Sequence, residues 1–255
     1  MATTLRFLTI VAAILLLALI LTPTLHARPQ SSAADVTLLK AANHDRAAAG
    51  LPPLKWDSAL ATAAHEHAMR MAKANTLSHQ LPGEPPMQDR ARHAGAHFSM
   101  VAENVAQGPS VPGLHTQWMH SPPHRENLLD PQLNAIGISV VQSGNTYFAV
   151  EDFATTVAAM SHEEQEQQIA SQLASLGVHK VSATTDARKT CELDRGWSGQ
   201  RPVSVVRYET ADLTRLPDDV GQKVSAGNYH AAAVGACAAE NSDDFTRYRI
   251  AILLF

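Results

Sequence analysis

Residues 35–79 read DVTLLKAANHDRAAAGLPPLKWDSALATAAHEHAMRMAKANTLSH. Leu38, Leu39, Ala42 and Arg46 recur at helical spacing, which predicts a helix over 35–49 with Gly50 as its stop. Pro52-Pro53 turns the chain. Asp57 is placed to cap a second helix over 57–75, whose stripe is Leu60, Ala63, Ala64, His67, Ala68 and Met71. Within it, His65-Glu66-His67 is not the H-E-x-x-H of a zinc protease. Positions i and i+2 point to different faces, so these two histidines do not share a metal; one is expected to pack and the other to meet solvent.

Downstream, 80–86 reads as a loop and 87–94 as a short helix ending at Gly95. Residues 100–107 (MVAENVAQ) are compatible with helix or extended chain. Ser121-Pro122 has the form of an N-cap and first helical position for a short helix, 121–129. The alternating runs 136–142 and 146–153 flank Ser143-Gly144-Asn145 and predict a β-hairpin. After Ala159 the composition shifts. Ser161 and Gly177 bracket a polar amphipathic helix over 161–176. Strand-like runs follow at 202–209, 229–238 and 246–254, the last apolar enough for a central strand. We read 161–255 as a separate small α+β module.

The chain has 255 residues, of which 45% are apolar and 17% charged. With 20 Lys plus Arg against 24 Asp plus Glu, its formal charge is −4. That excludes a disordered chain and a general nucleic-acid binder, which would be basic. Residues 7–21 (FLTIVAAILLLALIL) follow Arg6 and precede Pro23 and a small-residue region, the order of a secretory signal; the expected signal peptide is 1–27. Fifteen residues are short for a membrane span, so no stable span is expected after cleavage, with an uncleaved N-terminal anchor as the alternative. The destination is then secreted, extracellular or periplasmic. In that setting the two cysteines, Cys191 and Cys237, are expected to form a disulfide.

Neither a G-x-S-x-G elbow nor a glycine-rich phosphate loop is present. Three residues stand in suggestive local settings: His79 after Leu77-Ser78, Glu103 in the apolar stretch A-E-N-V-A, and His124 in S-P-P-H-R-E-N-L-L. A helix N-terminus near His124 favours the neutral ring that binds a metal or accepts a proton. Spacing alone does not bring the three together.

Taken in order, a longer series is informative: Asn43 and Arg46; Gly50-Leu51-Pro52-Pro53-Leu54 and Trp56-Asp57; Ala64, His67-Ala68 and Met71-Ala72; Leu77-Ser78-His79; Arg90 and Gly95. It continues with Ala102-Glu103-Asn104-Val105-Ala106, Gly108, Trp118-Met119, Ser121-Pro122, His124-Arg125, Asn127-Leu128-Leu129, Ile136-Gly137 and Asp152-Phe153. Over 38–153 the chain resembles the CAP superfamily (the SCP domain of cysteine-rich secretory, antigen 5 and pathogenesis-related proteins) in its bacterial form. The resemblance implies an α+β fold, an α-β-α sandwich around a small antiparallel sheet over 35–157. It also implies an open cleft in which His79, His124 and Glu103 meet, with Ser78, Asn104, Ser121 and Arg125 in support. Asn43 and Arg46 are expected to make buried hydrogen bonds, Arg125 and Asn127 to tie down a loop, and Trp56 and Trp118 to pack in the core.

Two departures stand out. Animal and plant members carry a second cleft glutamate after the tryptophan matched by Trp118; here that place offers His120 or Ser121. The family's cysteine-rich hinge is also missing, since both cysteines lie outside the resemblance. Two histidines and a glutamate would suit Zn²⁺ with an open position. The leading expectation is a secreted, non-catalytic binding protein for a lipid, a small hydrophobic cell-envelope ligand or a metal. The alternatives are a zinc-dependent hydrolase of peptide or wall polymer, and a merely structural cleft with binding through 161–255.

Overall fold

A computed structural model describes residues 31–239 and 245–255. The expected signal peptide lies outside the described residues. The chain builds two four-stranded sheets, each with helices against it.

The first unit begins with helix α1 (Ala33–Ala48), capped reciprocally by Ser32 and Asp35. Strand β1 (Lys55–Trp56) and helix α2 (Ser58–Ala74) follow, the Asp57 carboxylate accepting from the Ala59 and Leu60 amides. Next come α3 (Met87–His93), β2 (Phe98–Gly108), α4 (Val111–His120) and α5 (Pro122–Leu129). The hairpin β3 (Ala135–Ser143) and β4 (Thr146–Thr156) closes the unit, turning at Gly144 with φ +59°. The run 100–107 is therefore strand, and α4 is a helix that the sequence reading passed over.

The sheet order is β1-β3-β4-β2, which leaves β2 at an edge. The expectation of an antiparallel sheet needs one correction: β1 pairs with β3 in parallel, because α2 begins at once and no hairpin turn joins them. One face packs on α1, α4 and α5 through Leu38, Leu114, Trp118, Leu128 and Phe153. The other packs on α2 and α3 through Met71, Phe148, Val150, Leu60 and Phe98. Gly137 allows α2 to lie close, since a Cβ there would fall 2.0 Å from the Ala61 nitrogen. The buried Arg46 guanidinium donates to the carbonyls of Pro52, Leu128, Asp130 and Leu133, and so pins two loops.

The second sheet, β5-β7-β8-β6, comprises β5 (Lys180–Ala183), β6 (Ser204–Thr210), β7 (Ala231–Cys237) and β8 (Tyr248–Leu254). Helices α6 (His162–Ser175) and α8 (Asp218–Ala226) supply Ile169, Leu173, Val220 and Val224 to one core. The short helix α7 (Thr185–Cys191) covers part of the opposite face, where Cys191 and Cys237 form the disulfide. The last strand is interior, as its apolar run predicts. Strand β5 and helices α7 and α8 were not read from sequence. A turn of the second unit also reaches the first: the Thr246 amide donates to the Phe98 carbonyl (2.8 Å), and Phe245 stacks edge-on against Phe98.

Candidate functional site

The site forms at the free edge of β2, where elements from both faces of the first sheet converge. Glu103 lies on the α2–α3 side of β2 and is almost buried, its side chain 5% exposed. His79 reaches it from the loop after α2; its Nδ1 donates to Glu103 Oε1 at 2.9 Å. Arg90, buried on α3, donates to Glu103 Oε2 and, at 3.0 Å, to the His79 carbonyl. Both carboxylate oxygens are thereby engaged.

Beneath them, His67 is fully buried. Its Nε2 donates to the Ser78 carbonyl (2.8 Å), while Nδ1 faces both oxygens of Glu84 at 2.9 and 3.0 Å. The loop that carries His79 is thus anchored by His67, Glu84 and Arg90. Ser78 acts through this carbonyl; its hydroxyl donates to the Gln80 carbonyl.

His124 arrives from α5, on the opposite face. Its Nδ1 and the Ser121 hydroxyl lie 2.8 Å apart. Ser121 does stand at the N-cap position, but its side chain makes no capping bond. The hydroxyl orients His124 instead. Asn104, fully buried, donates to the His124 carbonyl, and Asn127 donates to Asn104 Oδ1 and to the Glu103 carbonyl. Asn127 therefore ties the loop as expected. Arg125 does not, for its residue is exposed on α5. His120 turns back to the Thr116 carbonyl (2.7 Å) and stays out of the cleft. His65 packs partly, with Nδ1 3.1 Å from the Ser139 hydroxyl, and takes no part.

The electrostatics divide the two cleft histidines. The hydrogen bond to Glu103 holds the His79 imidazole above its usual range, against partial burial and the Arg90 charge. Burial, with the His79 charge as second cause, holds His124 below its usual range. The two rings are thus biased in opposite directions, 79 toward its cation and 124 toward its neutral form. Each ring engages its Nδ1 within the protein.

Each Glu103 oxygen already accepts one hydrogen bond, and among the described residues no three His, Cys, Asp or Glu side chains gather as a metal-holding group. Glu103 thus holds His79 and Arg90 through its two oxygens.

Two buried acids stand on β4, Glu151 and Asp152, to which the sequence pattern assigns no role at the site. Asp152 stands opposite Glu103 in register, fully buried, with its carboxyl facing that of Glu103. Burial first, then the Glu103 charge, lifts its carboxyl well above the usual carboxylate range. Glu151, on the other face, receives Asn104 at 3.4 Å; burial pushes it up to about 8. The available signal was the pair Glu151-Asp152 inside the apolar run FAVEDFA. Its pairing with Glu103 depends on strand register, which spacing does not give.

Residues 39–158 match the family model of the CAP, cysteine-rich secretory protein family. The chain is 31% identical over 128 residues to the uncharacterized protein YkwD of Bacillus subtilis, a match covering 49% of this chain and 50% of that protein. It is also 31% identical over 84 residues to an uncharacterized protein of Borreliella burgdorferi, covering 33% of this chain and 54% of the other. The chain thus spans about half the length of the curated relatives it matches. Among solved structures, an extracellular SCP-domain protein of Bacillus anthracis is similar with 29% identity and a TM-score of 0.44, over 48% of this chain and 40% of that one. An outer surface protein of Borrelia burgdorferi is similar at 22% identity and a TM-score of 0.47, over 50% and 96%. Over residues 39–158, a little under half of the chain, the protein is thus similar to CAP domains, bacterial ones among them. No helix among the described residues is long and apolar enough to cross a membrane.

Proposed function

We propose that the protein is a non-catalytic binding protein of the cell envelope or extracellular medium, and that its CAP cleft takes the anionic group of a ligand between His79 and His124. The carrying observation is the internal engagement of Glu103. With one oxygen bonded to His79 and the other to Arg90, Glu103 is committed to holding the cleft's own side chains, which supports a binding role over general acid–base work. What the cleft presents is imidazole, one ring backed by a carboxylate and biased toward its cation. A carboxylate or phosphate, as a free ion or a lipid headgroup, matches that chemistry.

The test follows the imidazole resonances of His79 and His124 by NMR while inorganic phosphate is added, with phosphatidylglycerol vesicles and Zn²⁺ as separate arms. Phosphate is expected to shift both rings saturably. Binding is present below the raised His79 midpoint and fades as pH rises through it, and His79→Ala weakens it about tenfold. Vesicle binding without free-phosphate binding assigns the headgroup. Stoichiometric Zn²⁺ binding lost in both His79→Ala and His124→Ala, with no anion effect, replaces this reading by the metal one. Hydrolysis of a peptide or glycan abolished by Glu103→Gln overturns the non-catalytic assignment.

A further inference from the structure

The second unit carries a cavity of about 520 Å³ unrelated to the CAP cleft. It exists because α7 is short. That helix sits on β7 at Gly235, where a Cβ would fall 2.1 Å from the Ala187 carbonyl carbon, and reaches no further along the strand. Beyond Gly235 the same face continues through Ala233 and Ala231, flanked in register by Leu253 on β8 and by Ser182 and Lys180 on β5. Small side chains on β7 give depth; Leu253 and Phe255 give an apolar floor.

The two ends of this shelf are opposite in charge. At one end Lys180 and His179 are exposed, and Lys180 makes no ion pair among the described residues. At the other stands Asp186, in the first turn of α7. Its carboxylate is fixed: Oδ1 accepts from the Ser198 hydroxyl at 3.1 Å, and the backbone of Gly199 lies so near that a Cβ there would sit 2.1 Å from Oδ2. Gly199 also has φ +80°, so a side chain at that position is disfavoured twice. A loop built around one exposed carboxylate holds that charge at the cavity wall. From Lys180 to Thr184 is four residues of extended chain, about 13 Å.

We infer that this cavity binds a short unblocked peptide with small apolar side chains, its carboxylate at Lys180 and His179 and its ammonium at Asp186. An extended chain spans about 3.3–3.6 Å per residue, so three or four residues bridge the two charges. The cavity lies in the range of small-ligand sites, and its alanine, leucine and phenylalanine floor accepts methyl-sized groups.

Calorimetric titration of the full chain with Ala-Leu-Ala tests this, alongside the N-acetylated and C-amidated forms of the same peptide and decanoate. The free peptide is expected to bind at one site. Blocking either end weakens binding about tenfold, as do Asp186→Asn for the amine and Lys180→Met for the carboxylate. Both are surface substitutions and leave the melting curve unchanged. Ala233→Leu fills the shelf and abolishes binding, whereas His79→Ala leaves it intact, which separates this site from the cleft. Equal binding of the blocked peptides, binding of decanoate alone, or no heat with Ala-Leu-Ala overturns the assignment.

Discussion

The two sheets have the same size and the same mixture of one parallel and two antiparallel pairings, yet their interiors are built on different chemistry. The paired strands β2 and β4 of the first sheet carry Glu103, Asn104, Glu151 and Asp152; the helices over them add His67 and Arg90, and the loop between those helices adds Glu84. In the second sheet β7 and β8 read AAAVGAC and YRIAILL; the acid buried against them, Glu166, is held by two bonds from Arg188 and one from the Ala236 amide. Buried ionic groups seldom add net stability compared with hydrocarbon of similar volume. The first sheet therefore gives up stability to hold the His79 loop and α5 in place. The second relies on hydrocarbon and a crosslink, and leaves part of one face open.

The strongest way to break this contrast is Arg46→Ala. Four carbonyls lose a charged donor at once, and unfolding followed through Trp118 is expected to show a loss of about 4–5 kcal/mol. A loss below about 1 kcal/mol would mean that the polar interior of the first sheet is dispensable. Reducing the Cys191–Cys237 disulfide is the counterpart on the other side. It spans 46 positions, and its removal is expected to cost about 4 kcal/mol on the chain-entropy account, with Trp197 reporting an earlier transition than Trp118. Coincident shifts at both tryptophans would show that the units unfold as one.

A finer test uses pH. The Glu151 carboxyl is raised to about 8 in the fold, so the folded state holds its proton more tightly than the unfolded chain does. Its contribution is fully present below the ordinary carboxylate range and is lost as pH rises through about 8, a decline of about 3 kcal/mol after allowance for relaxation. Glu151→Gln is expected to flatten that decline. Asp152 is raised in the same direction, so a smaller slope should survive the substitution. An unchanged slope in denaturant midpoints from pH 5 to 9 would remove Glu151 as its source.

Local signals carried most of the fold. Asp57, Gly50, Gly144 and the Ser161 cap act within a few residues of where they stand, so their effects are legible in the chain. Helices α4, α7 and α8 were missed because their ends lack strong side-chain signals or their apolar residues are few: α8 has no side-chain cap and buries only Val220 and Val224. At the site, His79, Glu103 and His124 were found through the family resemblance, and the geometry gives each a partner. Their division of labour was not legible, because it depends on Arg90 taking the second oxygen of Glu103 and on Ser121 turning from the helix to the ring. The first is a tertiary contact; the second joins residues three apart, where the sequence equally offers the capping bond that the hydroxyl does not make.

The contact at Phe98 bears on any attempt to study the CAP domain alone. Phe98 opens β2, and five residues further along that strand stands Glu103. In the whole chain Phe98 is bonded in both directions to Thr246, its amide donating to the threonine hydroxyl and its carbonyl accepting from the threonine amide, with the Phe245 ring beside it. A fragment cut near residue 160 would leave this end of an edge strand bare. Such an end can recruit a strand from another molecule. Self-association of the fragment would then begin beside the cleft it was made to isolate, and its binding curves would describe the aggregate.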